Sequence, residues 1–342
     1  MGMSDLFNKL LILRTPGIGP VKYNSLLARF ESLDAAVASL RVDTQLRDNV
    51  LREMERAEKL NIYYICDDDV RYPCALRRVK NHPPVITVRG NLDALSRSAV
   101  AMVGTRHATA TGMGFVADLA QAFAENNYAV VSGMAIGTDT AAHKGALRAA
   151  GNAQTIAVLA GGVDYIWPVE NESLYYEILE RGAIISEMPV GFVPVATNFI
   201  QRNRHVAGIA DKLILGEADI KSGSMATARF AIDYNRDVWA IPSHPTDSRA
   251  AGPNSLIKSG VARLCSGVQD FFDSDDKQEE NKKMKKNSEN DLSLIDKIGM
   301  VPVSESVLAE VVGKTVSEIK SELVILELQG LVRKVDGGYV RL

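Results

Sequence analysis

Six short apolar segments that alternate with helix-like segments are the feature that most constrains how this chain can fold. The predicted strands are Ala99–Gly104, Tyr128–Gly133, Thr155–Gly161, Ala183–Glu187, Lys212–Glu217 and Asp237–Ile241. Their Val, Ile and Ala residues run continuously rather than alternating, as in strands whose two faces are both buried. The predicted helices between them are Gly112–Asn126, Thr138–Ala150, Glu172–Arg181, Asn198–Ala210 and Gly223–Tyr234. This alternation predicts an α/β fold with a doubly wound, mostly parallel sheet and right-handed crossovers.

The turn after the first predicted strand is not a dinucleotide-binding fingerprint. That fingerprint requires Gly-x-Gly-x-x-Gly, so that bare backbone can approach a pyrophosphate. Here Gly104 and Thr105 are followed by Arg106, where the fingerprint has no side chain. The planar guanidinium of Arg106 suits a phosphate, although an ordinary surface arginine is the alternative.

Further unusual turns follow other predicted strands. They are Ser132–Asp139, Gly161–Asp164, Gln201–His205 and Lys221–Thr227. All of them except the Gln201–His205 segment are expected at the carboxyl edge of the sheet, where doubly wound folds bind ligands. The small residues Ser222, Gly223 and Ser224, beside Lys221, favour an anion at a helix N-terminus, with helix capping and close packing as the alternative.

Arg202 and Arg204 are predicted early in a helix. Cations near a helix N-terminus are unfavourable by a few tenths to about 1 kcal/mol each, and a bound anion would offset that cost. Two solvated arginines are the alternative interpretation.

Composition limits the classes of protein that remain. A length of 342 residues favours two or three domains, and a net charge of −3 confines any nucleic-acid surface to a local patch. Three cysteines without Cys-x-x-Cys spacing argue against a disulfide framework and a zinc site. We also find no signal peptide, membrane-spanning run, catalytic triad or nucleoside-triphosphate loop, and we expect a cytoplasmic protein without metal or cofactor.

The flanks of the sheet region differ from it in kind. Residues 1–60 are predicted to form a helical domain around the Gly-rich hairpin Thr15–Pro20, and residues 61–272 to form the sheet domain, with Val85–Val88 as an edge strand. Residues 273–290 have almost no apolar side chain and indicate a polar linker. Residues 291–342 resemble a winged helix with predicted helices Ile295–Ile298, Val303–Val311 and Val316–Leu328 and a closing hairpin. The third helix carries three glutamates, which disfavours DNA and favours a protein-contact or structural module.

Seven motifs in order resemble the DNA-processing protein A family, also called Smf. They are VGTRHATATG, SGMAIGTDTAAHKGAL, TIAVLAGGVDYIWPVEN, ISEMPVG, FIQRNRHVAGIAD, KSGSMATARFAIDYNRDVWAIPS and GPNSLIKSGVARL, which span Val103 to Leu264. The resemblance implies an extended Rossmann-like fold with a helix-hairpin-helix or SAM-like N-terminal domain. It also implies a homodimer that binds and protects single-stranded DNA during natural transformation and loads the RecA recombinase onto it. No catalytic activity or cofactor is implied.

Carried over residue by residue, the resemblance implies a basic pocket around Arg106, Arg202, Arg204 and Lys221. The full predicted DNA-binding set is Gly104, Thr105, Arg106, Ser132, Gly133, Gly137, Lys144, Gln201, Arg202, Asn203, Arg204, Lys221, Ser222, Gly223 and Ser224. Gln201 stands where some relatives have lysine, and Trp167 replaces a more common tyrosine.

Two other functions are considered. One is a phosphoribohydrolase-like enzyme acting on nucleotides, but the Pro-Gly-Gly-x-Gly-Thr turn of such enzymes is absent, with Leu159–Gly162 the nearest segment. Glu187 is its one candidate for a glutamate that assists cleavage of the glycosidic bond, and fold analogy alone does not establish a function. The other is an interaction scaffold with a vestigial pocket.

Overall fold

The computed structural model describes residues 3–151, 154–271, 294–295 and 297–342. The chain divides into two compact units, Met1–Val268 and Gln269–Leu342. The first unit contains both the N-terminal helices and the sheet. The predicted linker, 273–290, lies outside the described residues.

One mixed sheet organises the first unit. Its strands are β1 (Ile62–Cys66), β2 (Val85–Gly90), β3 (Ala99–Val103), β4 (Ala129–Ser132), β5 (Thr155–Val158), β6 (Ala183–Ser186), β7 (Lys212–Leu215), β8 (Asp237–Ala240) and β9 (Arg263–Leu264). Within the described residues the strand order is β1-β2-β6-β5-β4-β3-β7-β8-β9. The strands from β3 to β9 pair in parallel, and β2 pairs antiparallel with both β1 and β6. The predicted doubly wound, mostly parallel sheet is therefore confirmed.

Helices form the N-terminal region of this unit and flank its sheet. They are α1 (Met3–Arg14), α2 (Pro20–Leu27), α3 (Leu33–Ala38), α4 (Thr44–Lys59), α5 (Cys74–Arg77), α6 (Ala110–Glu125), α7 (Thr138–Arg148), α8 (Glu172–Arg181), α9 (Ala196–Ile209), α10 (Gly223–Asp233) and α11 (Ala251–Lys258). Each of the five helices predicted between the strands is present, with ends that agree to within two residues.

The strand order creates a crevice at one edge of the sheet. From β3 the chain adds β4, β5 and β6 on one side, then returns to add β7 and β8 on the other. The loops after β3 and β7 therefore diverge, and ligands of doubly wound folds bind at such a reversal. Beneath it, fully buried side chains such as Val131 and Leu215 form a continuous apolar core.

Two local predictions are wrong. Val85–Val88 is not an edge strand, because β2 lies between β1 and β6. Helix α9 begins at Ala196 rather than Asn198, so Arg202 is its seventh residue and does not lie at the helix N-terminus. The electrostatic argument for an anion beside Arg202 and Arg204 therefore fails, because the helix dipole acts mainly within the first turn.

The N-terminal helices form a core of their own against the start of the sheet. Leu10, Leu11 and Tyr23 are buried together with Val85 of β2. Thr15–Pro20, which we call the N-terminal hairpin, joins α1 to α2, and Gly17 has a φ of +77° there.

The second unit has winged-helix architecture. Helices α12 (Glu305–Val312) and α13 (Val316–Leu328) precede a hairpin of β10 (Val332–Val335) and β11 (Gly338–Arg341). Thr315 and Glu318 form a capping box at the start of α13. The predicted third helix and hairpin are confirmed, whereas Ile295–Ile298 lies partly outside the described residues. Across the described ranges, no helix is both long and apolar enough to cross a membrane.

Candidate nucleic-acid interface

A cleft of about 560 Å³ opens at the point where the strand order reverses. We call it the switch-point cleft. Its walls are the turn after β3, the start of α7, the side chain of Trp167, the first half of α9 and the start of α10. The predicted residues that line it are Gly104, Thr105, Arg106, Arg202, Asn203, Ser222, Gly223 and Ser224.

Arg106 is the exposed cation of this cleft. Its guanidinium carbon lies 5.0 Å from the centre of the Trp167 ring, and the Trp167 and Phe199 rings are 4.4 Å apart. Within the described part of the chain, no carboxylate forms an ion pair with Arg106. An aromatic face restrains a cation without neutralising it. Arg106 is therefore held at the mouth of the cleft with its full charge available to an anion.

The predicted glycines near Arg106 bring backbone segments together. A Cβ at Gly137, whose φ is +81°, would lie 2.5 Å from the carbonyl oxygen of Thr105. A Cβ at Gly104 would collide with Thr138, whose N–H donates to that same Thr105 oxygen over 3.2 Å. The N-terminus of α7 is thus bonded to the Arg106 turn and fixes its conformation.

The N-terminus of α6 is also occupied, by a carboxylate from within the chain. Glu217 accepts hydrogen bonds from the Thr109 N–H at 2.7 Å and from the Thr109 hydroxyl at 2.5 Å. A dinucleotide fold would place a pyrophosphate at this helix N-terminus. Glu217 supplies the negative charge there instead, which agrees with the absence of the glycine fingerprint.

Arg202 is buried under the cleft rather than exposed in it. It is 7% exposed, and its guanidinium donates to the carbonyl oxygens of Gly133 and Val158. Burial lowers the pKa of Arg202 to about 10, although Asp139 opposes the shift, so the group stays charged at neutral pH. A Cβ at Gly133 would lie 2.6 Å from this guanidinium. Arg202 therefore connects α9 to the ends of β4 and β5 through buried hydrogen bonds.

Asp139 is the polar residue that the sequence analysis did not single out. It is 7% exposed and accepts from the N–H groups of Gly133 and Ala135 at 3.2 and 3.3 Å. Burial raises the pKa of Asp139, and the opposing effect of the nearby Arg202 does not cancel this rise. The sequence did contain a signal for Asp139 as a site residue, because it lies at the start of α7, directly after a turn with two glycines.

Two other polar residues of this region are buried and occupied. Ser132 donates its hydroxyl to the carbonyl oxygen of Met102 at 2.6 Å. The Nδ1 atom of His143 lies 2.7 Å from the hydroxyl of Thr155, and burial lowers the pKa of His143 to about 3. His143 is neutral near pH 7 and belongs to the core.

The start of α10 presents open backbone donors to the cleft. Ser222 is the N-cap without a side-chain capping bond, and its hydroxyl lies 2.9 Å from that of Ser224. Asn203 donates to the carbonyl oxygen of Gly223 at 3.2 Å and ties α9 to this turn. The N–H groups of Gly223 and Ser224 have no acceptor among the residues that the structure describes. Lys221 is exposed next to this turn without lining the cleft, and its ammonium group has no ion-pair partner within those same residues.

Gln201 and Arg204 lie on the other side of α9. They line a second cleft of about 610 Å³ between α9, the loop after β6 and the N-terminal hairpin, which we call the hairpin cleft. Two side chains of α9 contact the Glu187 carboxylate. The Arg204 Nη2 atom lies 2.7 Å from Glu187 Oε2, and the His205 Nε2 atom lies 2.9 Å from Glu187 Oε1. Burial alone would raise the pKa of Glu187, but His205 and Arg204 outweigh it and lower the pKa to about 2.

Lys144, the remaining predicted cation, is exposed on α7 and lines neither cleft.

Comparison with known families covers nearly the whole chain. The family model for DNA recombination-mediator protein A matches residues 63–275. A DprA-like N-terminal HHH domain matches residues 4–57, and a DprA winged helix domain matches residues 284–338. The chain belongs to the DNA-processing protein A family.

Individual members of the family are also similar to this chain in sequence. Protein Smf of Escherichia coli K12 is 32% identical over 303 residues, 83% of this chain and 79% of its own length. DprA of Streptococcus pneumoniae R6 is 37% identical over 210 residues, 61% of this chain and 73% of its own length.

Two solved DprA structures share the fold. The X-ray structure of Streptococcus pneumoniae DprA has a TM-score of 0.63 at 30% identity, covering 77% of this chain and 92% of that one. A Helicobacter pylori DprA structure, described as giving insight into a unique single-stranded DNA binding mode, has a TM-score of 0.58 at 30% identity. It covers 64% of this chain and 97% of that one.

Proposed function

We propose that this DprA family member binds single-stranded DNA in the switch-point cleft and acts without catalysis. The observation that carries the proposal is that Arg106 lines the same cleft as Gly223 and Ser224, and that its guanidinium and their N–H groups have no partner among the described residues. A planar fork of donors and an uncapped helix N-terminus both bind phosphate oxygens. The relative from Helicobacter pylori, which has the same fold, supports the choice of single-stranded DNA as the ligand.

The protonation and position of Glu187 support a binding protein over a phosphoribohydrolase-like enzyme. Glu187, the candidate for assisting glycosidic cleavage, has a pKa of about 2 and is ion-paired with Arg204. It also lines the hairpin cleft rather than the switch-point cleft. A general acid must hold a proton near neutral pH, which Glu187 does not.

The cellular role proposed follows from the family. We propose that the protein works as a cytoplasmic homodimer in natural transformation, where it protects incoming single strands and loads RecA onto them. A binding mode that reads phosphates carries no sequence information, which suits a protein that must accept any incoming strand.

A fluorescence anisotropy titration tests the proposed ligand directly. Full-length protein is titrated with a labelled single strand and with the matched duplex over a range of salt. We expect tighter binding of the single strand, because a stiff duplex cannot bend into a cleft made of turns. Equal affinity for the two forms, or no binding of either, would contradict the proposal.

A further inference from the structure

The hairpin cleft differs from the switch-point cleft in its charge. The charged residues that line it are Arg14, Glu187 and Arg204. Arg14 binds Glu53 through two hydrogen bonds of 2.8 and 2.9 Å, and Arg204 is paired with Glu187 at 2.7 Å. Each cation on this cleft is therefore neutralised by a carboxylate, and the cleft is a poor site for phosphate.

Most of the remaining lining is apolar. It includes Ile18, Pro84, Met188, Pro189, Ile200 and Phe230. The exposed amide of Gln201 and the backbone of the N-terminal hairpin add neutral donors and acceptors. Neutral apolar walls with a few amide groups match the faces and edges of unpaired nucleobases, which are flat, uncharged and rich in donors and acceptors.

The two clefts are neighbours across a single helix. Ile200 of α9 lines both of them and is 57% exposed. Asn203 lies on the switch-point side of α9 and Gln201 on the hairpin side. A helix is roughly 10 Å across, which about three nucleotides span at a rise of roughly 3.4 Å each.

We propose that the hairpin cleft binds the unpaired bases of the same DNA strand whose phosphates occupy the switch-point cleft. The strand crosses α9 over Ile200, so that the N-terminal hairpin becomes part of the DNA path. This inference rests on the proposed function, and it assigns a task to Gln201 and to a cleft that phosphate binding leaves unused. The contribution of the bases is uncharged, so it strengthens binding without making it more salt-dependent.

Abasic oligonucleotides separate bases from phosphates. Full-length protein is titrated by anisotropy with a 20-nucleotide thymidine strand and with strands that carry three consecutive abasic sites at successive positions. All of these strands keep the same number of phosphates. We expect one window of abasic positions to weaken binding about tenfold, which is roughly 1.4 kcal/mol, with an unchanged slope of log affinity against log salt.

Matched variants assign that effect to the hairpin cleft. In Ile200→Ser, abasic sites in that window should cause little further loss of affinity, because the bases there no longer have their apolar contact. Val261→Ser is the control, because Val261 is also an exposed apolar residue, 46% exposed, but precedes β9 at the opposite edge of the sheet. Equal affinity for all abasic strands, or equal behaviour of the two variants, would overturn the base-binding cleft.

The outcome for the proposed function is read separately. If Arg106→Ala still flattens the salt slope while the abasic window is missing, phosphate binding stands and this inference falls. If the full-length protein binds no single strand at all, both fall together.

Discussion

At the scale of single residues, the arginines predicted to form the DNA pocket differ in what surrounds and neutralises their charge. Arg202 and Arg204 come from one sequence motif, yet the first is bound to buried carbonyl groups and the second to Glu187. Arg106 instead packs on the face of Trp167. Among these three arginines, Arg106 alone has a guanidinium without a carbonyl or carboxylate partner in the described part of the chain, so its charge remains available to a phosphate.

Trp167 is expected to restrain Arg106, and its removal tests that role. We predict that Trp167→Ala weakens single-strand binding about twofold to fivefold, because an exposed cation–π contact contributes roughly 0.5 to 1 kcal/mol. The salt slope should not change, since no charge is lost. Trp167→Tyr should recover most of the affinity. A flattened slope in Trp167→Ala would contradict this role.

Glu187 is expected to stabilise the fold in a pH-dependent way. Its pKa is about 2 in the folded protein, below the usual value of 4.5, so its contribution is complete above pH 4.5 and is lost as the pH falls toward 2. We predict that Glu187→Gln lowers the free energy of unfolding by about 3 kcal/mol at pH 7, because Arg204 and His205 lose their partner.

Urea unfolding at pH 7 and at pH 3 measures this contribution of Glu187. The difference between the parent and Glu187→Gln should be smaller at pH 3. An equal difference at both pH values would show that the loss is not electrostatic.

At the scale of elements, the packing of α9 against β4 and β5 positions the floor of the cleft. Gly133→Ala would push a Cβ to 2.6 Å from the Arg202 guanidinium. That group is the end of a flexible side chain, but its burial and its two carbonyl partners make any displacement costly. We predict a loss of about 2 kcal/mol in stability and weaker DNA binding, since a buried charge would lose hydrogen bonds.

Gly114→Ala provides the matched control for Gly133→Ala. Gly114 lies in α6, and a Cβ there meets nothing within 4 Å. Alanine should therefore raise stability by about 0.5 to 1 kcal/mol. Thermal unfolding of the two variants distinguishes them, and similar behaviour would contradict the packing argument.

The central strands were predictable because continuous apolar runs leave few alternatives to a buried parallel sheet. The start of α9 was less so: its N-cap is Val195, and the capping oxygen comes from Asn198, whose Oδ1 accepts from the Val195 N–H at 2.9 Å. The burial of Arg202 depends on carbonyls of two distant strands, which local sequence does not reveal. The position of β2 inside the sheet depends on its pairing with β1, a strand that the sequence analysis did not predict.

At the scale of the whole molecule, the proposed single-strand site lies within the first unit. In the second, each glutamate of α13 is engaged: Glu318 in its capping box, Glu322 with Lys314, and Glu327 with the Lys334 N–H. We predict that a chain ending at Phe272 keeps its affinity for single strands within about tenfold, or 1.4 kcal/mol. Anisotropy with the truncated and full-length chains measures this, and a larger loss would mean that the winged helix takes part in binding.

The salt dependence of single-strand binding by the parent and by Arg106→Ala tests the central claim most directly. Each phosphate contact on a single strand contributes a slope of about −0.7 in log affinity against log salt. The sequence alone predicts four cationic contacts and a slope near −3. In the part of the chain that the structure describes, the side chains of Arg106 and Lys221 are the two of these four that lack a partner, so we predict about −1.4 per protomer. Arg106→Ala should weaken binding of every sequence alike and flatten the slope by about 0.7, with Arg106→Lys recovering part of the affinity. An Arg106→Ala protein with unchanged affinity and slope would place the DNA site elsewhere and contradict the account.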